Sequence, residues 1–188
     1  LYADLRGKRC LVVGGGKVAE RKCSALVRAG AEVTVVSPVL TKGLERARES
    51  GRITHKKRRY RTADIGSSFL VIAATGSEET NRRVASDAAA AHRLVNVVDT
   101  PPLCTFIVPS VVRRGLLTIA ISTDGASPAL AKEIRKDLEK RYGPDISKSL
   151  VAVREARKKA MAGMPDRTKR EKFLRNLAKR VSAIHRTG

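Results

Sequence analysis

Apolar and polar positions follow two different rhythms along this chain, and the change between them divides it. Residues 9–13 form a short β-branched and apolar run that stops at Gly14-Gly15-Gly16, and residues 18–27 then carry apolar side chains at helical spacing. Gly30 closes that helix, and residues 31–38 read as a second strand ended by Pro38. The result is a βαβ unit of about 30 residues. Two near-continuous apolar runs, 69–75 and 94–99, flank a helical stretch over 78–92. Runs without alternation suit strands buried on both faces, as in a parallel sheet covered by helices.

After Asp99 the rhythm changes. The apolar runs 106–112 and 116–122 are separated only by Arg113-Arg114-Gly115, a spacing that fits an antiparallel hairpin and not a crossover. Ser127-Pro128 then predicts a capped helix with Leu130, Ile134 and Leu138 on one face, ending near Gly143-Pro144. A hairpin plus one helix is too small to bury its own apolar faces, so this segment is expected at a subunit interface. From Asp145 the pattern predicts two amphipathic helices broken near Gly163-Met164-Pro165, with Phe173, Leu177, Val181 and Ile184 as one apolar stripe. The expected fold class is α/β, a Rossmann-type parallel sheet with a dimerisation hairpin–helix segment and a small C-terminal helical domain. Residues 1–112, 113–144 and 145–188 are the expected divisions.

Composition narrows the possibilities. At 188 residues and 42% hydrophobic, the chain can bury a real core. No apolar run approaches the roughly 20 residues of a membrane span, and the N-terminus lacks a basic-then-apolar leader, so a soluble, cytoplasmic protein is expected. Leu1 is not a natural start, and residues are expected before it. Cys10, Cys23 and Cys104 are widely spaced and predict reduced, mostly buried thiols; His55, His92 and His185 stand apart, and no metal site is expected.

The formal charge of +21 points to an anionic partner. It arises from 19 Lys and Arg against 10 Asp and Glu up to Val112, and from 20 against 8 after it. The basic run 54–61 suggests a phosphate-contacting stripe, but aromatic residues make up 3% of the chain, Trp is absent, and no base-reading signature occurs. The run is therefore read as a solvated, charge-rich strand, with nucleic acid an unfavoured partner.

Chemistry concentrates in Gly14-x-Gly16-x-x-Ala19, placed between a strand and a helix. There Gly14 permits a tight turn, Gly16 lets the backbone approach a pyrophosphate, and Ala19 permits close helix packing. The helix N-terminus supplies free N–H groups for the phosphates. Ser37, Pro38 and Val39 stand where an acidic residue ordinarily holds the ribose, so this position does not choose between NAD and NADP; no arginine directly adjoins it, which favours NAD. Asp99, at the carboxyl end of a central strand, lies where α/β sheets bind ligands.

The ordered set Gly14-Gly15-Gly16-Lys17-Val18-Ala19-Glu20-Arg21-Lys22, Val33-Thr34-Val35-Val36-Ser37-Pro38, Ala73-Ala74-Thr75, Asn96-Val97-Val98-Asp99, Phe106-Ile107-Val108-Pro109-Ser110 and Ile121-Ser122-Thr123-Asp124-Gly125-Ala126-Ser127-Pro128 resembles successive motifs of the precorrin-2 dehydrogenase / sirohydrochlorin ferrochelatase family. The likeness runs from about Leu5 to Arg141. It implies a homodimer oxidising the anionic tetrapyrrole precorrin-2 to sirohydrochlorin with NAD. It further implies a cofactor held by Gly14, Gly15, Gly16, Lys17, Val18, Ser37, Pro38, Val39 and Thr75, and Asp99 as general base. Asn96, Arg113, Arg114, Lys132 and Arg135 become candidates for holding the substrate and its carboxylates. Three alternatives stay open: a bifunctional enzyme that also inserts ferrous iron, an NAD sensor without turnover, and a basic nucleic-acid binder.

Overall fold

The structure, a computed structural model, describes residues 3–185. It divides into two compact units, one ending at Val108 and the other beginning at Pro109. The first unit is built on a five-stranded parallel sheet. Its strands β1 (Arg9–Val13), β2 (Glu32–Val36), β3 (Thr54–Lys56), β4 (Leu70–Ala73) and β5 (Leu94–Val97) stand in the order β3-β2-β1-β4-β5. The order reverses between β1 and β4, the point beyond whose carboxyl ends such sheets bind ligands.

Helices α1 (Lys17–Arg28) and α2 (Lys42–Glu49) cover one face of the sheet and α3 (Glu78–Ala90) the other. Alternate strand residues serve opposite cores. Val12, Val35 and Ile72 pack with Ala19, Cys23 and Leu44, while Val13, Val71 and Val97 pack with Val84, Ala85 and Ala88. Burial on both faces is why the strands read as unbroken apolar runs. The expected strand over 54–61 is only the three-residue β3, because Arg58 and Lys56 fold back on the buried Asp64 carboxylate at 2.6 and 3.0 Å and end the extended backbone. The apolar pattern assigned no element to α2, whose one buried residue is Leu44.

β5 lies at the sheet edge, and the following chain turns back along it. Thr105 N–H donates to Val95 O, its hydroxyl accepts from Val95 N–H, and the Cys104 thiol accepts from Val97 N–H. One backbone amide and two side chains thus satisfy edge groups that another strand would otherwise pair.

In the second unit β6 (Ser110–Arg114) and β7 (Leu117–Ile121) form the expected antiparallel hairpin. The turn is Gly115-Leu116, not Arg113-Arg114-Gly115: Gly115 has φ +57°, as the first central residue of a II′ hairpin requires, and the two arginines end β6. The expected boundary after Val112 falls inside β6, and residues on both sides of the expected division at 144/145 share this unit. It continues with α4 (Pro128–Arg141), N-capped by Ser127, then α5 (Asp145–Gly163) and α6 (Arg167–Ile184), which pack on each other. The stripe expected on α6 is only partly covered: Leu177 and Val181 are half-buried, but Phe173 and Ile184 are exposed. A two-helix hairpin offers one packing side, and those two residues lie off it.

Candidate functional site

The three consecutive glycines have different reasons to be glycine. Gly14 has φ +123°, and a Cβ there would lie 2.2 Å from Ala74 O. A Cβ on Gly15 would lie 1.9 Å from Val39 O, since the chain leaving β2 passes against the turn. Gly16 has an ordinary φ of −83°, and a Cβ there would meet nothing within 4 Å. The fold needs the first two; the third leaves open space at the start of α1.

That start has no side-chain cap. Glu20 N–H opens the helical ladder by donating to Gly16 O, so the amides before it remain for an anion favoured by the helix dipole. The turn is held from behind: Thr41 N–H donates to Gly15 O at 3.0 Å, and the Thr41 hydroxyl donates to the Glu20 carboxylate. That bond, opposed by burial and helped by Lys17, keeps the Glu20 pKa below the ordinary carboxylate range.

In front of the turn lies a cavity of about 680 Å³, within the range of small-ligand and cofactor sites. Of the residues expected to hold a cofactor, Gly14, Gly15, Gly16, Ser37, Pro38 and Thr75 line it. Lys17, Val18 and Val39 do not; Lys17 pairs with Glu20 at 3.7 Å, and Val39 is 75% exposed. The Ser37 hydroxyl is turned inward and donates to Val39 O at 2.7 Å.

Residues unforeseen from sequence complete the wall. Arg59 and Tyr60, from the run read as a solvated strand, face the cavity together with Arg83. No arginine adjoins Ser37 in sequence, but the Asp64 clamp bends the chain so that Arg59 reaches the same cavity. The Tyr60 phenol donates to Asp87 at 2.7 Å; burial first, and Asp87 second, raise its pKa and keep it protonated. Ser77 and Thr80 bring a second helix N-terminus, that of α3, to the cavity. Thr75-Gly76-Ser77-Glu78, a strand end followed by a capping residue, was the available signal.

Asp99 is exposed and follows β5 in a turn closed by Thr100 N–H to Val97 O. Its φ is +59°, a left-handed conformation that Gly, Asn and Asp visit most readily. Asn96 is buried, and its amide donates to Phe106 O at 3.1 Å and to the Cys104 sulfur at 3.5 Å. Its side chain holds the returning chain beside β5. Among the thiols, burial raises Cys10 to about 11 and Cys23 to about 12, so both remain protonated core groups.

The remaining expected substrate residues belong to the second unit. Arg114 donates to Tyr142 O and Glu139 O at 3.1 and 3.3 Å, which makes it a cap on the C-terminal carbonyls of α4. Arg135 pairs with Glu139 along α4. Arg113 and Lys132 are exposed.

Sheet order, glycine turn and cavity at the switch point define a dinucleotide-binding α/β protein. Residues 1–110 match the family model described as putative NAD(P)-binding, and residues 114–141 match that described as sirohaem biosynthesis protein central. The chain belongs to the NAD(P)-binding family of the first model, and the second match falls on the segment whose motifs carried the resemblance to the precorrin-2 dehydrogenase family. Siroheme synthase of Methylobacillus flagellatus is 48% identical over 139 residues, covering 74% of this chain and 30% of the relative. That of Thioalkalivibrio sulfidiphilus is 40% identical over 177 residues, covering 94% and 36%. The chain thus spans about a third of these curated relatives. The solved structure of SirC, precorrin-2 dehydrogenase, superimposes with a TM-score of 0.81 at 25% identity, covering 97% of this chain and 98% of that one. Among the described residues no helix is long and apolar enough to cross a membrane.

Proposed function

We propose that this chain is a cytoplasmic, NAD-dependent dehydrogenase that oxidises precorrin-2 to sirohydrochlorin. The observation that carries the reading is Gly16: its side-chain space is empty for no structural reason, at an uncapped helix start, beside a cavity of dinucleotide-site size. The relatives named siroheme synthase and the neighbour named precorrin-2 dehydrogenase supply the substrate class.

Gly14, Gly15 and Gly16 would hold the pyrophosphate, with the Ser37–Pro38 turn and Arg59 at one end of the cavity and Thr75 at the other. When bound, the nicotinamide supplies the hydride acceptor. In the overall reaction precorrin-2 gives up one hydride to NAD⁺ and one proton, yielding sirohydrochlorin and NADH. Asp99 takes that proton as general base. Arg113 and Lys132 are proposed to meet the substrate's carboxylates, and exposed Leu130 and Ile134 on α4 to join two copies of the chain.

Precorrin-2 and NAD mixed with the protein should give NADH together with the absorption of sirohydrochlorin. Absence of both rejects the reading. NADP should be run alongside, because Arg59 is able to meet a 2′-phosphate. The name siroheme synthase carried by the relatives favours a second activity, iron insertion. Ferrous iron added to the product tests it.

A further inference from the structure

Half-buried cations in this protein have partners, with one exception among the described residues. Arg58 pairs with Asp64 and Arg135 with Glu139, while Arg93, Arg114 and Arg170 donate to backbone carbonyls. Lys22 is also half-buried, yet among the described residues it makes no ion pair or hydrogen bond. Partly desolvating an ammonium without a partner is costly, so its placement calls for a ligand.

Helix geometry shows where it faces. α1 lies on the sheet with Ala19, Cys23 and Leu26 inward. Its Glu20 flank meets Thr41 and Gly43 on the α2 side, so Lys22 and Val18 occupy the opposite flank, toward β4 and β5. Val98 and Phe106 pack onto that same core, which brings the Asp99 turn and its returning chain beside Lys22. Desolvation, then Arg21, lowers the Lys22 pKa, while Cys104 and Asp99 act on it in the opposite sense; they are near enough to be felt but do not neutralise it.

We propose that Lys22 receives one side-chain carboxylate of the tetrapyrrole and so positions the macrocycle with its reacting carbon at Asp99. The proposal rests on the dehydrogenase reading for its substrate. The ammonium is a compact donor well matched to a single carboxylate, and the +21 charge of the chain provides general attraction without this orientation.

Lys22→Met keeps length and helix preference, and Lys22→Arg keeps the charge. The purified chain and both variants are titrated with sirohydrochlorin, which retains the substrate's carboxylates, and separately with NAD; kcat and KM for precorrin-2 follow. Lys22→Met should weaken sirohydrochlorin binding and raise KM by about 10- to 100-fold, the range of a lost charge-assisted bond, with NAD affinity unchanged and Lys22→Arg recovering most of the loss. Sirohydrochlorin affinity equal to the parent's in Lys22→Met overturns the proposal, as does an equal loss of NAD affinity in a variant with unchanged melting. If Lys22→Met melts early, Lys22→Gln is read by the same criteria. A parent that forms no NADH rejects the dehydrogenase reading, while the sirohydrochlorin titration still decides Lys22. A parent that binds no sirohydrochlorin rejects both.

Discussion

Three adjacent glycines should give three separable phenotypes. Gly16→Asp places a carboxylate in space that is now open, at a backbone conformation any residue adopts. Aspartate is a better N-cap than glycine by a few tenths of a kcal/mol, so melting should hold or rise slightly. The same carboxylate stands where a pyrophosphate would bind. At about 4 Å each charge pair costs between ~1 kcal/mol in water and ~4 kcal/mol near a protein surface, and the capping side chain also occupies the amides the phosphates need. NAD affinity, read by calorimetric titration, should fall at least about 100-fold. Gly15→Ala and Gly14→Ala are the contrasts: their Cβ atoms would lie 1.9 and 2.2 Å from backbone oxygens, so both should lose several kcal/mol of stability before binding is even asked. A folded Gly16→Asp variant that binds NAD as the parent does refutes the cofactor site.

Asp99→Asn removes the proposed base while suiting the left-handed backbone at least as well, so turnover should fall 10² to 10⁴-fold with stability and NAD affinity intact; near-parent oxidation in stopped assays assigns the proton elsewhere. Asp64 has its pKa lowered below 3.8 chiefly by Arg58, so the stability it contributes is present above about pH 4 and is lost as pH falls. Asp64→Asn should cost about 1–2 kcal/mol at pH 7, allowing for its partly exposed partners, and should flatten the decline in melting temperature as pH falls from about 4 to 2; an unchanged slope removes Asp64 as its source. Sedimentation should show a dimer, and Leu130→Asp should shift it to monomer; a parent that stays monomeric well above micromolar concentration places α4 elsewhere than at an interface.

The parallel sheet was legible because burial on both faces leaves a local trace, an unbroken apolar run between turn residues, and the glycine turn was legible because strand, glycines and helix follow directly in sequence. Arg59, Tyr60 and Arg83 were not. Arg59 and Tyr60 reach the cavity through the bend that Arg58 and Lys56 make around Asp64, a tertiary clamp hidden inside what reads as a uniform basic run, and Arg83 reaches it from α3 on the other side of the sheet order. Arg114 misled for the opposite reason. A free guanidinium and one capping a helix end have the same sequence, and only the distance to Tyr142 O tells them apart. On α6 periodicity found the apolar residues correctly but could not say that one neighbouring helix would cover only some of them.

In the proposed reaction Asp99 joins the fold and the chemistry in one small structure. Aspartate is one of the few residues with a side chain that visits this left-handed backbone readily, and here its surroundings hold it there. Those surroundings are the bonds that close the sheet edge: Asn96 to Phe106 O, Val97 N–H to the Cys104 sulfur, and Thr105 to both backbone groups of Val95. Each lies within a few residues of Asp99 on one side of the turn or the other, and together they leave the intervening loop little freedom to relax. An edge strand must be protected from pairing with other chains, and a general base, the role proposed for Asp99, must be fixed relative to its substrate. The same returning segment meets both requirements, which explains why a buried asparagine and a half-buried thiol flank an exposed carboxylate.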